Sequence, residues 1–328
     1  MKIDIGPNDL IKNCLDGLKN IKINDDFEEP KYLQGDKVLP REQPIDLVDS
    51  KELFYIAIKR LDDINNKRAY WWCCLVLNRL LRNLEDPEIG EYLIDKIKSE
   101  NEPWKIINLT SPLSIAGGYT ERVVELLYLL EHKNSDIRGN VVEILKFTNS
   151  PKIEDPLLNL IAKSNNAYEI LFSLLSLYNV ATEKSLEQLY KLLYHKKQEI
   201  KVLSLSTISR IRKKDGHQFY LNLLADKNYR NNDVVINIIR EYSGSAGVSA
   251  VCDRVSKMLR RKRGRTSAWK EDGVEGTELV HNVVFLGKYY SQFSIIEKTY
   301  KNIEKKWDNV QNHESDAILK TIKVSRSF

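Results

Sequence analysis

The segment His132-Lys133-Asn134-Ser135-Asp136-Ile137-Arg138 separates two apolar stretches, at residues 123–130 and 141–145. In both stretches the apolar residues recur at the spacing of one helix face. The sequence therefore predicts two helices joined by a short polar turn, with an acid, an isoleucine and a base where the second helix begins.

The same order of residue types returns in a second turn, where Glu199-Ile200-Lys201 begins another helix. The isoleucines of the two turns are 63 residues apart, which corresponds to two periods of about 32 residues. Along the chain, second helices are predicted to begin near residues 68, 104, 137, 168, 200 and 234. A repeat of this length is typical of a solenoid, in which each helix pair covers the apolar face of its neighbour.

The sequence predicts an all-α fold, a right-handed α-solenoid of antiparallel helix pairs. Residues 50–242 are expected to form the repeats, and residues 1–49 an N-terminal helix followed by an extended polar arm. Residues 243–328 are expected to form atypical C-terminal repeats with an enlarged basic loop, because terminal units cap the core of a solenoid. Within the repeats, Pro112 and Gly117-Gly118 predict that the helix beginning near residue 104 is short or broken.

These repeats resemble the HEAT-like repeat family. The resemblance is carried by the acid–isoleucine–base turns Asp136-Ile137-Arg138 and Glu199-Ile200-Lys201. In that family the corresponding acid and base help to tie neighbouring units together, so the resemblance implies the same role here. The fourth unit departs from the pattern, with Asn165-Asn166-Ala167 at the corresponding turn. The family includes scaffolds, inhibitors, transport factors and a few enzymes, so the resemblance implies a fold without choosing among these functions.

Composition favours a protein that needs neither a membrane nor a cofactor. The 328 residues carry a net charge of +5, and no stretch approaches the ~18 apolar residues of a membrane span. The N-terminus has no apolar run of signal-peptide length, so we expect a cytoplasmic protein. No cysteine–histidine spacing resembles a zinc site. All four cysteines are expected to be buried free thiols: Cys14, Cys73, Cys74 and Cys252.

The strongest local signal is a basic segment at residues 257–270, with seven basic residues and no acid. Arginine binds phosphate or carboxylate through two donors, and a tryptophan can stack on a base. An acidic protein and nucleic acid both fit this pattern. The alternative is a solvated helix end whose charge is neutralised by the acids at 271, 272, 275 and 278. The candidate binding residues in the segment are Arg260, Arg261, Lys262, Arg263, Arg265 and Trp269.

A second basic group lies at the ends of two predicted second helices, with Arg210 and Lys213 in one and Arg240 in the next. Because successive second helices of a solenoid run parallel, these side chains are expected to form one ridge. The segment at 257–265 ends a first helix, which runs the opposite way. It is therefore expected at the other edge, and the two basic groups need not form one continuous track.

Trp71 and Trp72 form a third candidate site, near the start of a second helix. Neighbouring helix positions point about 100° apart. One indole can therefore be buried while the other is exposed. We interpret the pair first as core packing, and the alternative is an aromatic anchor on the concave face.

No catalytic constellation stands out in the sequence. Gly244-Ser245-Ala246-Gly247 superficially resembles a nucleophile elbow, but it lies between predicted helices. The sequence therefore predicts a non-enzymatic binding protein, an adaptor or an inhibitor of the immunity type, that engages a protein partner through its concave surface. The alternative is nucleic-acid binding. That alternative includes a resemblance to the HEAT-like alkylpurine DNA glycosylases, which rests on the residue types of Trp71, Trp72 and Asp233.

Overall fold

The computed structural model describes residues 51–271 and 273–327 of the chain. The side chains of Glu52, Leu53, Trp72, Ile115 and Ala116 are also outside the description. The predicted N-terminal helix and polar arm, residues 1–49, lie outside the described residues. In the described part, 15 α-helices are joined by 3₁₀ turns and a single β-hairpin. The prediction of an all-α fold is confirmed, and the right-handed winding and HEAT-like pairing stay predictions.

The chain folds into two compact units. The first runs to Leu192 and includes Lys197–Leu203, and the second comprises Leu193–Lys196 and Ser204–Phe328. The helices of the first unit are α1 (Lys51–Leu61), α2 (Lys67–Leu84), α3 (Pro87–Ser99), α4 (Pro103–Ala116), the 3₁₀ helix Glu121–Glu131, α5 (Ser135–Leu145), α6 (Glu154–Lys163), α7 (Ala167–Val180) and α8 (Leu186–Leu192). The division of the repeats from the C-terminal region at residue 242 stays a prediction.

In the first unit, alternate helices pack side by side, with α2 against α4, α4 against α5, and α5 against α7. The intervening helices cover them on one side, for example α3 on α4 and α6 on α7. The observed second-helix starts lie within two residues of the predicted ones: Lys67, Pro103, Ser135, Ala167, Gln198 and Asn232. Local caps account for this agreement, because Asn66, Asn134 and Asn166 each accept a hydrogen bond from a backbone N–H of the first helical turn.

The prediction of a short or broken helix near residue 104 is wrong. Helix α4 continues through Pro112 and ends at Ala116, where Gly117 adopts a φ of 71° and caps it. Proline removes one N–H from the helix, whereas glycine in the left-handed region ends it. Gly118 then passes so close to Gly90 of α3 that a Cβ at Gly90 would clash with the Gly118 carbonyl oxygen. The glycines therefore set the end of α4 and its contact with α3.

The second unit contains the remainder of α9 (Gln198–Arg212), followed by α10 (His217–Ala225), α11 (Asn232–Tyr242), α12 (Val248–Met258), β1 (Trp269–Glu271), β2 (Val274–Gly276), α13 (Glu278–Gly287), α14 (Ser294–Lys305) and α15 (Asn312–Arg326). Helix α12 packs against α13 and α14, and α13 packs against α15. The segment Gly244–Gly247, between α11 and α12, is a 3₁₀ turn that links the two helices.

The enlarged loop between α12 and α13 is only partly irregular. Strands β1 and β2 form an antiparallel hairpin that pairs Trp269 with Gly276 and Glu271 with Val274. Gly273 supplies the positive φ, 77°, at the turn. The sequence predicted an enlarged loop here and did not predict the hairpin. Two strands of three residues are too short to show an alternating pattern. The hairpin leads directly into α13 and so fixes the end of the loop.

Among the described residues, no helix is long and apolar enough to cross a membrane. Nor does that part of the chain place three or more histidine, cysteine, aspartate or glutamate side chains where they could hold a metal ion. Cys73, Cys74 and Cys252 are buried free thiols, as predicted. Burial raises the pKa of the Cys73 thiol to about 12.

Candidate anion-binding cleft

A cleft of about 690 Å³ lies in the second unit, where α12 ends and the enlarged loop begins. Three exposed cations line it, Lys257 from α12 and Arg261 and Lys262 from the loop. Half-buried Trp269 of β1 and exposed Asp233 of α11 also line it, together with Arg254 and Glu278. We call this space the basic cleft.

The middle of the loop is anchored on the start of α15. Arg263 is nine-tenths buried, and its guanidinium pairs with the buried carboxylate of Glu314. The same carboxylate accepts a hydrogen bond from the Thr277 hydroxyl and another, at 3.0 Å, from the backbone N–H of Gln311. The Gln311 side-chain oxygen in turn accepts a hydrogen bond from the Thr266 hydroxyl at 2.9 Å. Arg263 was a candidate binding residue, but it is an internal brace that ties the loop to the start of α15.

The far end of the loop is anchored through Glu271 in the hairpin. One carboxylate oxygen of Glu271 lies 2.6 Å from Nη2 of Arg240 and 2.8 Å from Nδ1 of His281. The His281 ring also packs edge to face against Trp269, with ring centres 5.1 Å apart. These contacts fix the position of Trp269 at the cleft and leave the hairpin tied to α11 and α13.

Within the described residues, the acids that follow the basic segment form no ion pair with its cations. Glu271 pairs with Arg240, and Glu278 pairs with Arg254 through two contacts of 2.7 and 2.9 Å. Burial lowers the pKa of Arg254, but the hydrogen bonds and charge of Glu278, together with the charge of Asp233, outweigh burial and raise it overall. Glu275 is exposed on β2, and Asp272 lies outside the description. The alternative of internal neutralisation therefore gains no ion pair from Glu271 or Glu278.

What remains is a group of exposed cations at the end of α12 and on the braced loop. They are Lys257, Arg260, Arg261, Lys262 and Arg265. None of these five side chains forms an ion pair with a residue that the structure describes. Like charges this close repel one another, so an anion that binds among them relieves the repulsion as well as gaining attraction.

A second cleft, of about 440 Å³, adjoins the basic cleft at Lys257. Exposed Lys227 and Arg230, from the turn between α10 and α11, line it. Neither residue was among the candidates from the sequence, because they are two isolated cations some thirty residues before the basic segment. Only the packing of successive helices brings them to the same surface.

The predicted ridge of Arg210, Lys213 and Arg240 is not formed as expected. Arg240 is buried, and its guanidinium bonds the side chains of Asn282 and Asn237 as well as Glu271. The reason is the hairpin, which brings an acid to the end of α11. Lys213 is exposed, and Arg210 is half-buried. Arg240 therefore joins the brace of the loop and does not contribute to a binding surface.

Trp71 lies on α2 in the first unit with 48% of its surface exposed, as expected for one of the two tryptophans. The side chain of Trp72 lies outside the description. The structure also shows an aromatic cluster just after the end of α5 and on α7 that sequence reasoning did not single out. In it, Lys146 Nζ lies 4.8 Å from the ring centre of Phe147, and Tyr168 packs on Phe172 with ring centres 4.4 Å apart.

No protein-family model matches this chain, and no curated protein matches its sequence. Membership of the HEAT-like family therefore stays a prediction. The functional interpretation depends on the chemistry of the clefts.

Proposed function

We propose that this chain is a non-enzymatic binding protein that engages an acidic protein partner through the basic cleft. The observation that carries the proposal is the group of exposed cations on a loop braced by Arg263 and Glu314. The brace supports it because a preorganised site loses less conformational entropy on binding than a mobile one. The charge supports it because no described acid pairs with these cations.

The composition of the cleft supports a protein partner over nucleic acid. Asp233 presents an exposed carboxylate beside the cations. A polypeptide can meet that carboxylate with a backbone N–H, whereas a phosphate chain would place like charge against it. Trp269 is half-buried and already packs against His281, so it is a poor platform for base stacking.

Nucleic-acid binding is the alternative, because exposed lysine and arginine side chains also suit phosphates. One observation supports the resemblance to the glycosylases, namely that Asp233 lines the basic cleft. Trp71 belongs to the first unit, and Trp72 has no described side chain. Binding through a concave solenoid surface, and the choice between adaptor and inhibitor, stay predictions.

The proposal predicts that charge reversal in the cleft weakens binding of an acidic peptide. The variant Arg261→Glu/Lys262→Glu should bind a fluorescent glutamate-rich peptide about tenfold more weakly than the wild type, measured by anisotropy at about 150 mM salt. Loss of two exposed ion pairs, at roughly 0.5–1 kcal/mol each, accounts for that factor. A matched control is Lys320→Glu/Lys323→Glu, which makes the same charge change on exposed residues of α15 in the same unit.

Equal weakening by both variants would show that only net charge matters and would contradict a specific cleft. Binding of duplex DNA that is tighter than peptide binding would promote the alternative. In that case affinity should fall with salt at a slope near −0.9 per phosphate contacted.

A further inference from the structure

We infer that the acidic partner binds as an extended segment that starts in the basic cleft, passes Lys257 and continues into the second cleft. The inference rests on the proposed function, since it concerns the same partner at the same surface. The inference adds contacts at Lys227 and Arg230. It also implies that a compact anion fills only part of the binding surface.

The two clefts are continuous at Lys257, whose side chain lines both. The first turn of α11 lines the junction as well, with Asn232 in the second cleft and Asp233 in the basic cleft. Lys257, Asn232 and Asp233 form the boundary between the two clefts. A chain that leaves one cleft therefore enters the other directly. A small anion such as inorganic phosphate can occupy only one of them.

The second cleft has the same sign of charge as the first. Lys227 and Arg230 are exposed and form no ion pair with a described residue. Asp226 also lines this cleft, but its carboxylate accepts hydrogen bonds from the Tyr194 hydroxyl at 2.6 Å and from the Asn228 backbone at 2.8 Å. These hydrogen bonds fix the Asp226 carboxylate in place, and the cations that line this cleft outnumber it.

Asp233 decides what kind of extended anion suits the junction. Its carboxylate is exposed, and although it is close enough to Arg254 to attract that cation electrostatically, it forms no ion pair with a described residue. A nucleic-acid strand carries a phosphate at every nucleotide and so brings like charge to this acid. A polypeptide can place two acidic clusters over the two groups of cations and an uncharged stretch with N–H donors over Asp233. Charge complementarity along the whole path thus favours an acidic polypeptide.

The experiment compares two fluorescent peptides. The first carries two glutamate clusters joined by a glycine–serine linker, and the second carries one cluster and the same linker. At about 150 mM salt the Debye length of about 8 Å confines charge effects to near neighbours. The wild type should bind the two-cluster peptide at least about tenfold more tightly, because the second contact becomes intramolecular. The variant Lys227→Glu/Arg230→Glu should lose that gain and still bind the one-cluster peptide within about twofold of the wild type.

The outcomes separate the two proposals. If Lys227→Glu/Arg230→Glu keeps the gain from the second cluster, binding across both clefts is wrong and the proposed function stands. If neither peptide binds, or if Arg261→Glu/Lys262→Glu binds both peptides as the wild type does, the proposed function itself is wrong. A single-stranded oligonucleotide of equal charge that binds more tightly than the two-cluster peptide overturns the choice of a polypeptide. Unchanged circular dichroism shows that each variant has folded.

Discussion

Arg138 carries the contact between α5 and α7 in the first unit. Its guanidinium lies 2.7 Å from a carboxylate oxygen of Glu169, which is almost completely buried, and it donates to the His132 carbonyl at 2.7 Å. The resemblance to HEAT-like repeats implied that the acid and the base of one turn would tie neighbouring repeats together. Arg138, the base, does contact a later helix, but its acidic partner is Glu169 of α7 and not the acid of its own turn. Asp136 instead donates its backbone N–H to the capping side chain of Asn134.

This geometry predicts unequal effects of removing the two acids. Glu169→Ala should lower the free energy of unfolding of the first unit by about 3 kcal/mol, because it leaves a largely buried arginine without its partner. Asp136→Ala should cost about 0.3–1 kcal/mol, the usual contribution of an exposed acid in the first turn of a helix. Urea unfolding followed by circular dichroism measures both. Equal losses would mean that the Arg138–Glu169 pair is not the main contact.

At the scale of elements, the basic loop is a braced structure rather than a flexible connection. Its brace joins Arg263 and Thr266 to Glu314 and Gln311 at the start of α15. Helix starts could be predicted from the sequence because caps and apolar periodicity are local. The brace could not be predicted, because its partners are about fifty residues apart and no local pattern links them. For the same reason the sequence indicated the basic residues but not which of them are buried.

The brace predicts that Glu314 protects the loop from proteolysis. Trypsin cleaves after lysine and arginine, which are dense at residues 260–265. In Glu314→Ala, Arg263 loses its buried partner, and the rate of tryptic cleavage in this loop should rise by about tenfold, since cleavage follows the population of the opened state. Mass spectrometry of early fragments measures that rate. The matched control is Glu275→Ala, an exposed acid in the hairpin, which should leave cleavage unchanged. An equal rate in both variants would contradict the brace.

At the scale of the whole molecule, the arrangement of charge matters more than its total. A net charge of +5 over 328 residues is modest. In the second unit, however, three glutamates near the loop pair with Arg240, Arg254 and Arg263, and the exposed cations of the basic cleft outnumber its one unpaired acid, Asp233. The sequence indicated a basic segment, but the two clefts and their shared Lys257 depend on packing between helices distant in the chain.

The central claim is that an acidic polypeptide binds across the two clefts of the second unit. Hydrogen exchange with and without a saturating acidic peptide tests it most directly, because exchange reports local protection along the whole chain. The account predicts slower amide exchange at residues 226–232 and 257–270, with no change in α1–α8. Protection confined to the first unit, for example around Trp71 or Phe147, would contradict it, as would unchanged exchange throughout at saturating peptide.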